Sequence, residues 1–482
     1  MTITPIGYVI IPVSLVVLLV RPGFLVPWAI LVSVFQAASV INIGGSFPVG
    51  ISPFFFVLVL IASRFVPQYL TGRFWFSQDD PILTLFRPLT LFGLWGIASA
   101  FVLPLLFANT TVNIPRAGMD SAAQALHWSI SNAAQAGYLL LDCVFLFNVT
   151  RFSSGHRGME AIVWAFRWAG VIAITIGAYQ IIAHNTGLPY PTQFFNSNEA
   201  WAQLGTEKIL GAWRLSSTFT EPSAAGAFFA AWSVFMLITV SDRATACRLD
   251  LLLLSAGLAM LVLTTSSTGY LTAAIVLSMA VIQQIQTMLM RGRINVRALI
   301  AGFAIAFAVV CALAFVPAFD RLLEEVLFKK VDSISARDRT ATQWQSLSVV
   351  SQSEWLGVGL GSNRPSGMLF YIFSNLGLPG LLLFSYCMYV TFVLVRRSHR
   401  PELDCTTACG YLRAAGWTLA VTLFAMSISG AEVTIPQFWI AWSLTVGAIA
   451  HVSESLERQT VTRANPQGSP LIVLRRTATH NS

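Results

Sequence analysis

Three arginines and two glutamates hold most of the chemistry that this sequence offers outside its apolar runs. The arginines are Arg337, Arg339 and Arg364. A guanidinium is permanently charged and grips phosphate with a bidentate fork, but it cannot act as a base. Arginines beside apolar chain suit a phosphate or diphosphate headgroup; surface ion pairs with Asp332, Asp338 and Glu354 are the plainer alternative. Glu221 stands directly before Pro222, a residue suited to the first turn of a helix. It is the best-placed carboxylate for a general base, and a helix cap is its plainer role. Glu432, in S-G-A-E-V-T-I-P (429–436), is the second candidate.

Other polar groups could hold a ligand. The stretch T-T-S-S-T-G (264–269) opens an apolar run, so Ser266, Ser267 and Thr268 could hold a phosphate or sugar, or simply cap a helix. A helix predicted to begin near Ser335–Arg339 carries Trp344, an aromatic contact for substrate. The run L-G-V-G-L-G-S-N (356–363) lacks the Gly-Lys-Ser/Thr ending of a nucleotide loop and reads as a tight turn that brings backbone close to a ligand. Asp142 sits inside an apolar run, where a carboxylate is costly: a neighbouring donor would satisfy it, and a proton relay is the sharper reading. His127 and His184 are candidate bases of lower rank. The six cysteines show neither a disulfide framework nor zinc-site spacing, and no metal or cofactor is expected.

The elements that must position these groups follow from composition. Of 482 residues, 55% are hydrophobic and only 10% are charged. A soluble chain carries roughly 25% charged residues. Too few charges remain to coat soluble domains, which excludes a soluble enzyme, a disordered chain and a nucleic-acid-binding domain. A polytopic all-α membrane protein is expected instead.

Runs long enough for a ~30 Å hydrocarbon core fall at about 5–20, 24–41, 52–66, 89–107, 135–149, 160–183, 223–240, 250–266, 269–289, 297–316, 367–395, 411–430 and 436–452. That predicts about 13 spans (12–14), the first two forming a tight hairpin or one being re-entrant. With the N-terminus outside, 20 of the 29 Lys and Arg fall on the cytoplasmic side, and the basic balance is mostly topology. No removable signal peptide is expected. The membrane domain is 1–452, and 453–482 reads as a basic, mobile cytoplasmic tail. Two long external loops, 184–222 and 317–366, are expected to contain amphipathic helices, the clearest at 317–331.

The ordered motifs R-L-S-S-T-F-T-E-P-S-A-A-G-A-F (214–228), T-T-S-S-T-G-Y-L (264–271), S-A-R-D-R-T-A-T-Q-W (335–344), W-L-G-V-G-L-G-S-N-R (355–364) and S-N-L-G-L-P-G-L-L-L-F (374–384) resemble the O-antigen polymerase and ligase family of bacterial inner-membrane glycosyltransferases. The likeness covers roughly 210–385. It implies a GT-C-like membrane fold and a metal-independent transfer on the periplasmic face, from an undecaprenyl-diphosphate-linked oligosaccharide to a sugar hydroxyl. By that resemblance Arg214, Arg337, Arg339 and Arg364 would hold the diphosphate, and the implied pathway would add a polysaccharide chain-length regulator. Ligase-type members often carry a His-Asn pair after the glycine-rich loop. Here Arg364-Pro-Ser-Gly follows, and no His occurs in 317–366, which favours a polymerase over a ligase. The rival class is a secondary transporter or lipid-linked oligosaccharide flippase, against which stand the absence of an internal repeat and the polar wealth of the external loops.

Overall fold

The computed structural model describes residues 1–44, 49–71, 81–113, 123–199, 208–209, 212–242, 244–247, 249–272, 334–398, 406–430 and 432–464, with isolated positions between 274 and 288. It is mostly helical. In chain order the helices are α1 (Gly7–Val20), α2 (Leu25–Val32), α3 (Pro53–Leu70), α4 (Leu83–Leu106), α5 (Ile130–Ser153), α6 (His156–Thr186), the short α7 (Thr192–Phe195), α8 (Pro222–Ser241) and α9 (Asp250–Leu263). After a helical stretch at 267–272 come α10 (Ile334–Gln352), α11 (Met368–Ser398), α12 (Thr407–Ser429) and α13 (Pro436–Ala464).

Among the described residues, six helices are long and apolar enough to cross a membrane: α4, α5, α6, α8, α11 and α12. Shorter apolar helices occupy the predicted spans near 5–20, 24–41, 52–66 and 250–266, and α13 covers 436–452. The predicted span 297–316, most of 269–289 and the amphipathic helix at 317–331 lie outside the described residues.

Two expectations change. The run 24–41 is not a spanning helix: α2 ends at Val32 after 8 residues, roughly 12 Å of rise. The chain then continues irregularly into a small antiparallel sheet in which β2 (Ile41–Ile43) pairs with both β1 (Thr2–Ile3) and β3 (Val49–Ile51). Apolar composition alone could not show this end, because 33–43 satisfies its backbone tertiarily: Ala37 N–H donates to Thr218 O, and Asn198 N–H to Ala37 O. The loop 184–222 holds no amphipathic helix among its described residues, only four-residue α7 and the hairpin of β6 (Lys208–Ile209) with β7 (Ala212–Trp213). Another hairpin, β4 (Thr111–Asn113) with β5 (Ala123–Ala125), precedes α5. α13 runs to Ala464, so the stretch read as a tail begins helical, and 465–482 lie outside the described residues.

α13 sits at the centre, packed against α12 and α5, while α12 also packs along α8. With no water to displace, such helices associate through close fit, so small residues mark their contacts. Trp232 of α8 is fully buried between Gly170 of α6 and Gly257 of α9. A Cβ at Gly170 would lie 2.0 Å from its ring, and one at Gly257 2.7 Å. The indole N–H is satisfied by Phe166 O at 3.0 Å.

The helices alternate between two ends of the bundle. The lower end gathers the starts of α6, α9 and α12 and the end of α8, held by ion pairs. Arg167 reaches Asp250 at 2.8 Å, and Arg413 pairs with Asp242. The upper end gathers the starts of α5, α8, α11 and α13, and here the predicted site residues collect.

Candidate functional site

At the upper end the glycine-rich run forms a scaffold. α11 is broken at Gly377, whose φ of +64° and ψ of −165° are not helical. The break frees backbone groups that must find partners. The run 355–359 supplies them: Val358 N–H donates to Ser374 O at 3.0 Å, Gly359 N–H to Asn375 O at 2.8 Å, and Leu378 N–H to Trp355 O at 2.8 Å. Trp95 Nε1–H takes Leu376 O at 2.8 Å. Gly359 has φ +95°, and a Cβ there would lie 2.7 Å from Ser99 O and 2.6 Å from Pro104 Cδ. The glycines therefore let the loop approach α4, α5 and α11, where the sequence pointed to close approach to a ligand.

Asparagines fix the loop's far end. Asn375 Oδ1 accepts from Ser362 N–H at 3.0 Å and Asn363 N–H at 2.9 Å, and Asn375 Nδ2 donates to Asn363 O at 2.7 Å. Asn132, in the first turn of α5, donates to Leu360 O and to Ser362 Oγ, each at 2.8 Å. The loop thereby delivers Arg364, whose N–H donates to Asn113 O at 2.9 Å.

Arg364 Nη2 lies 3.0 Å from Glu432 Oε1; the side chains are 22% and 3% exposed. The other carboxylate oxygen accepts from Gln135 Nε2 at 2.6 Å. Gln135 Oε1 in turn accepts from Thr434 Oγ1 at 2.6 Å. Four side chains from three segments, the loop at Arg364, α5 and the stretch just before α13, thus form one charge-assisted chain. Both oxygens of Glu432 are engaged, which suits it to aiming Arg364 more than to taking up a proton.

A second cluster adjoins it. As expected, Pro222 opens α8, and Glu221 is the residue before it, in extended conformation. Its half-buried carboxylate accepts from Ser223 Oγ. Arg214 Nε donates to Thr265 Oγ1 at 3.1 Å, and Nη2 points to Thr265 O at 3.4 Å. Ser266 is buried, accepts from Gly269 N–H at 3.4 Å, and would lie 3.0 Å from a Cβ at Gly226 of α8. Thr268 is buried too, and Ser267 is partly exposed. The motifs at 214–228 and 264–271 therefore meet. The clusters adjoin where Gln437 Nε2 of α13 reaches Ala224 O of α8 at 3.5 Å.

The remaining predicted residues lie on α10. This helix rests on the end of the glycine loop: Gln343 Nε2 donates to Ser366 O at 3.2 Å, and Ser366 N–H reaches Thr342 Oγ1 at 3.4 Å. Arg339, half-buried, is three residues before Thr342, and Arg337 is exposed. Trp344 is 68% exposed and has no ring contact among the described residues. A small cavity among α2, α6, α8, α12 and α13, lined by residues including Phe166, Phe228, Met426 and Gln437, touches none of the predicted site residues. No group of His, Cys, Asp or Glu suited to a metal ion occurs among the described residues.

Gln135, Asn132, Asn363 and Asn375 were missed from sequence. For Asn132, Gln135 and Asn375 the signal was a polar residue on an otherwise apolar, buried helix face, with Asn132 and Gln135 three apart on α5; Asn363 lies in the loop before α11. A scan against family models and a search of curated proteins find no match to this chain.

Proposed function

We propose that the chain is a glycosyltransferase of the bacterial inner membrane that polymerises O-antigen or exopolysaccharide repeat units. It moves a saccharide from an undecaprenyl-diphosphate-linked donor to a sugar hydroxyl on the periplasmic face, without metal. The observation that carries this reading is the fixed chain Arg364–Glu432–Gln135–Thr434 beside Arg214 and Glu221. It lies at the end where α8 and α13 begin, so their positive dipole ends add to the arginines. The lower end carries Arg151, Arg157, Arg396, Arg397 and Arg413, which supports a cytoplasmic lower end in this reading.

In the proposed step the acceptor oxygen bonds to the anomeric carbon, and the bond from that carbon to the diphosphate oxygen breaks. The electron pair leaves with the diphosphate, whose growing charge Arg364 and Arg214 neutralise. Arg339 and the exposed Arg337, carried on the helix that rests on the end of the glycine loop, would bind the outer phosphate or the remote glycan. The acceptor proton passes to Glu221, which is half-buried and accepts a hydrogen bond from the Ser223 hydroxyl.

Two observations favour a second reading, a transporter or flippase. Asp142 is fully buried within α5 with no hydrogen bond to either oxygen among the described residues, and α11 is broken at Gly377. Reconstitution with a lipid-linked repeat unit alone decides among them. A ladder of products means polymerase, and product only with added lipid A-core means ligase. Translocation of intact donor means flippase.

A further inference from the structure

We infer that Trp213, Tyr190, Tyr179 and His184 form a saccharide-binding platform next to Arg214, the place where the glycan portion of a substrate rests. This rests on the glycosyltransferase reading for its role, but not for its binding chemistry. Trp213 directly precedes Arg214, and its ring centroid lies 4.4 Å from that of His184. His184 meets Tyr190 at 5.9 Å, and Tyr190 meets Tyr179 at 6.1 Å. The rings come from the end of α6, the loop after it and β7, so separate parts of the chain converge.

The cluster is tied to the site. Tyr190 Oη donates to Ser217 O at 3.3 Å, three residues after Arg214. Tyr179 Oη donates to Pro189 O at 2.7 Å. Both phenols are spent on holding the platform; Tyr179 keeps exposed ring surface, while Trp213 and Tyr190, which also packs on Phe195 at 5.8 Å, are half-buried. Burial also pushes the Tyr190 phenol upward, keeping it the donor.

Aromatic rings near a membrane often serve as an interfacial belt pointing into lipid. Here the exposed Lys208 places its ammonium 4.0 Å from the Trp213 centroid. An ammonium is strongly hydrated, so that ring face meets water and not hydrocarbon. Wet, clustered aromatic surface beside two cations fits a ligand with an apolar C–H face and a polar rim. A pyranose ring has both.

The test uses the purified full chain in nanodiscs, without lipid-linked donor. Isothermal titration calorimetry follows binding of three probes: maltotriose, chitotriose and trigalacturonate. At least one should bind, and Trp213→Ala should weaken it by about tenfold or more. Trp213→Phe, which keeps a ring, should retain most of the affinity. Tyr179→Ala, at a residue 38% exposed, gives a second variant, and it too should weaken binding, with thermal unfolding measured alongside. Binding of none of the probes by the wild type, or equal affinity in both alanine variants, overturns the platform. Donor consumption, measured separately, reports on the transferase reading: binding without turnover would remove the enzyme and keep the platform.

Discussion

Arg364 and Glu432 lie 3.0 Å apart, with Glu432 almost wholly enclosed and its second oxygen held by Gln135. A carboxylate so engaged fixes the direction of a guanidinium. Glu432→Gln keeps the shape and removes the charge, so Arg364 loses its anchor while the fold stays. Transfer should fall by about 100-fold, the cost of slight misplacement of a reacting group. Turnover and thermal unfolding measured together check this. Normal turnover would show that Arg364 needs no anchor.

Arginines at one end of the bundle should not respond alike. Arg364→Lys keeps a positive charge but cannot serve Glu432 and a phosphate with one planar fork. It should abolish most transfer. Arg337 is exposed, and Arg337→Lys should be milder. Equal losses in the two variants would contradict this ranking.

Glu221→Gln should leave donor binding and stability intact and lower transfer by about 100- to 10,000-fold, the usual worth of a general base. Ser223, its hydroxyl partner, can still bond the amide. If transfer is normal, the acceptor's proton goes elsewhere, with His184 the next group to mutate.

Gly359→Ala tests the scaffold. The positive φ costs a side chain about 1–3 kcal/mol, and its Cβ would press on Ser99 O and Pro104. The loop must shift, taking Arg364 with it. Lower thermal stability together with lost turnover is expected, and unchanged values of both would show the loop to be loosely held.

At the lower end, Asp250 is 1% exposed against Arg167. Leaving one charge of a buried pair without the other costs about 3–5 kcal/mol. Arg167→Met should therefore lower the unfolding temperature, while the upper end keeps its donor affinity in the surviving folded fraction. A stability equal to wild type would make the pair dispensable.

Much of the helical plan was legible because apolar runs must become helices wherever backbone groups find no water. Pro222 marked the start of α8, and the helix carrying Trp344 appeared where its sequence placed it. The early end of α2 was not legible. Residues 33–43 are as apolar as a span, and their bonds to 197–198 and 218, with strand pairing to 2–4 and 49–51, make a non-helical path affordable. The glycine run was legible as a turn but not as the partner of a break in α11, since that pairing joins backbone atoms and leaves no mark in side-chain pattern.

For the site, the sequence by itself determined which residue types are present and that they cluster outside the apolar runs: scarce charge in a 10% charged chain stands out. Tertiary structure decided the partnerships. It set Glu432 against Arg364, Arg214 against Thr265, and Gln135 between Glu432 and Thr434. Those contacts join residues far apart in the chain, and their geometry depends on helix register and loop path. Local spacing carries neither, so only the packed bundle could place them.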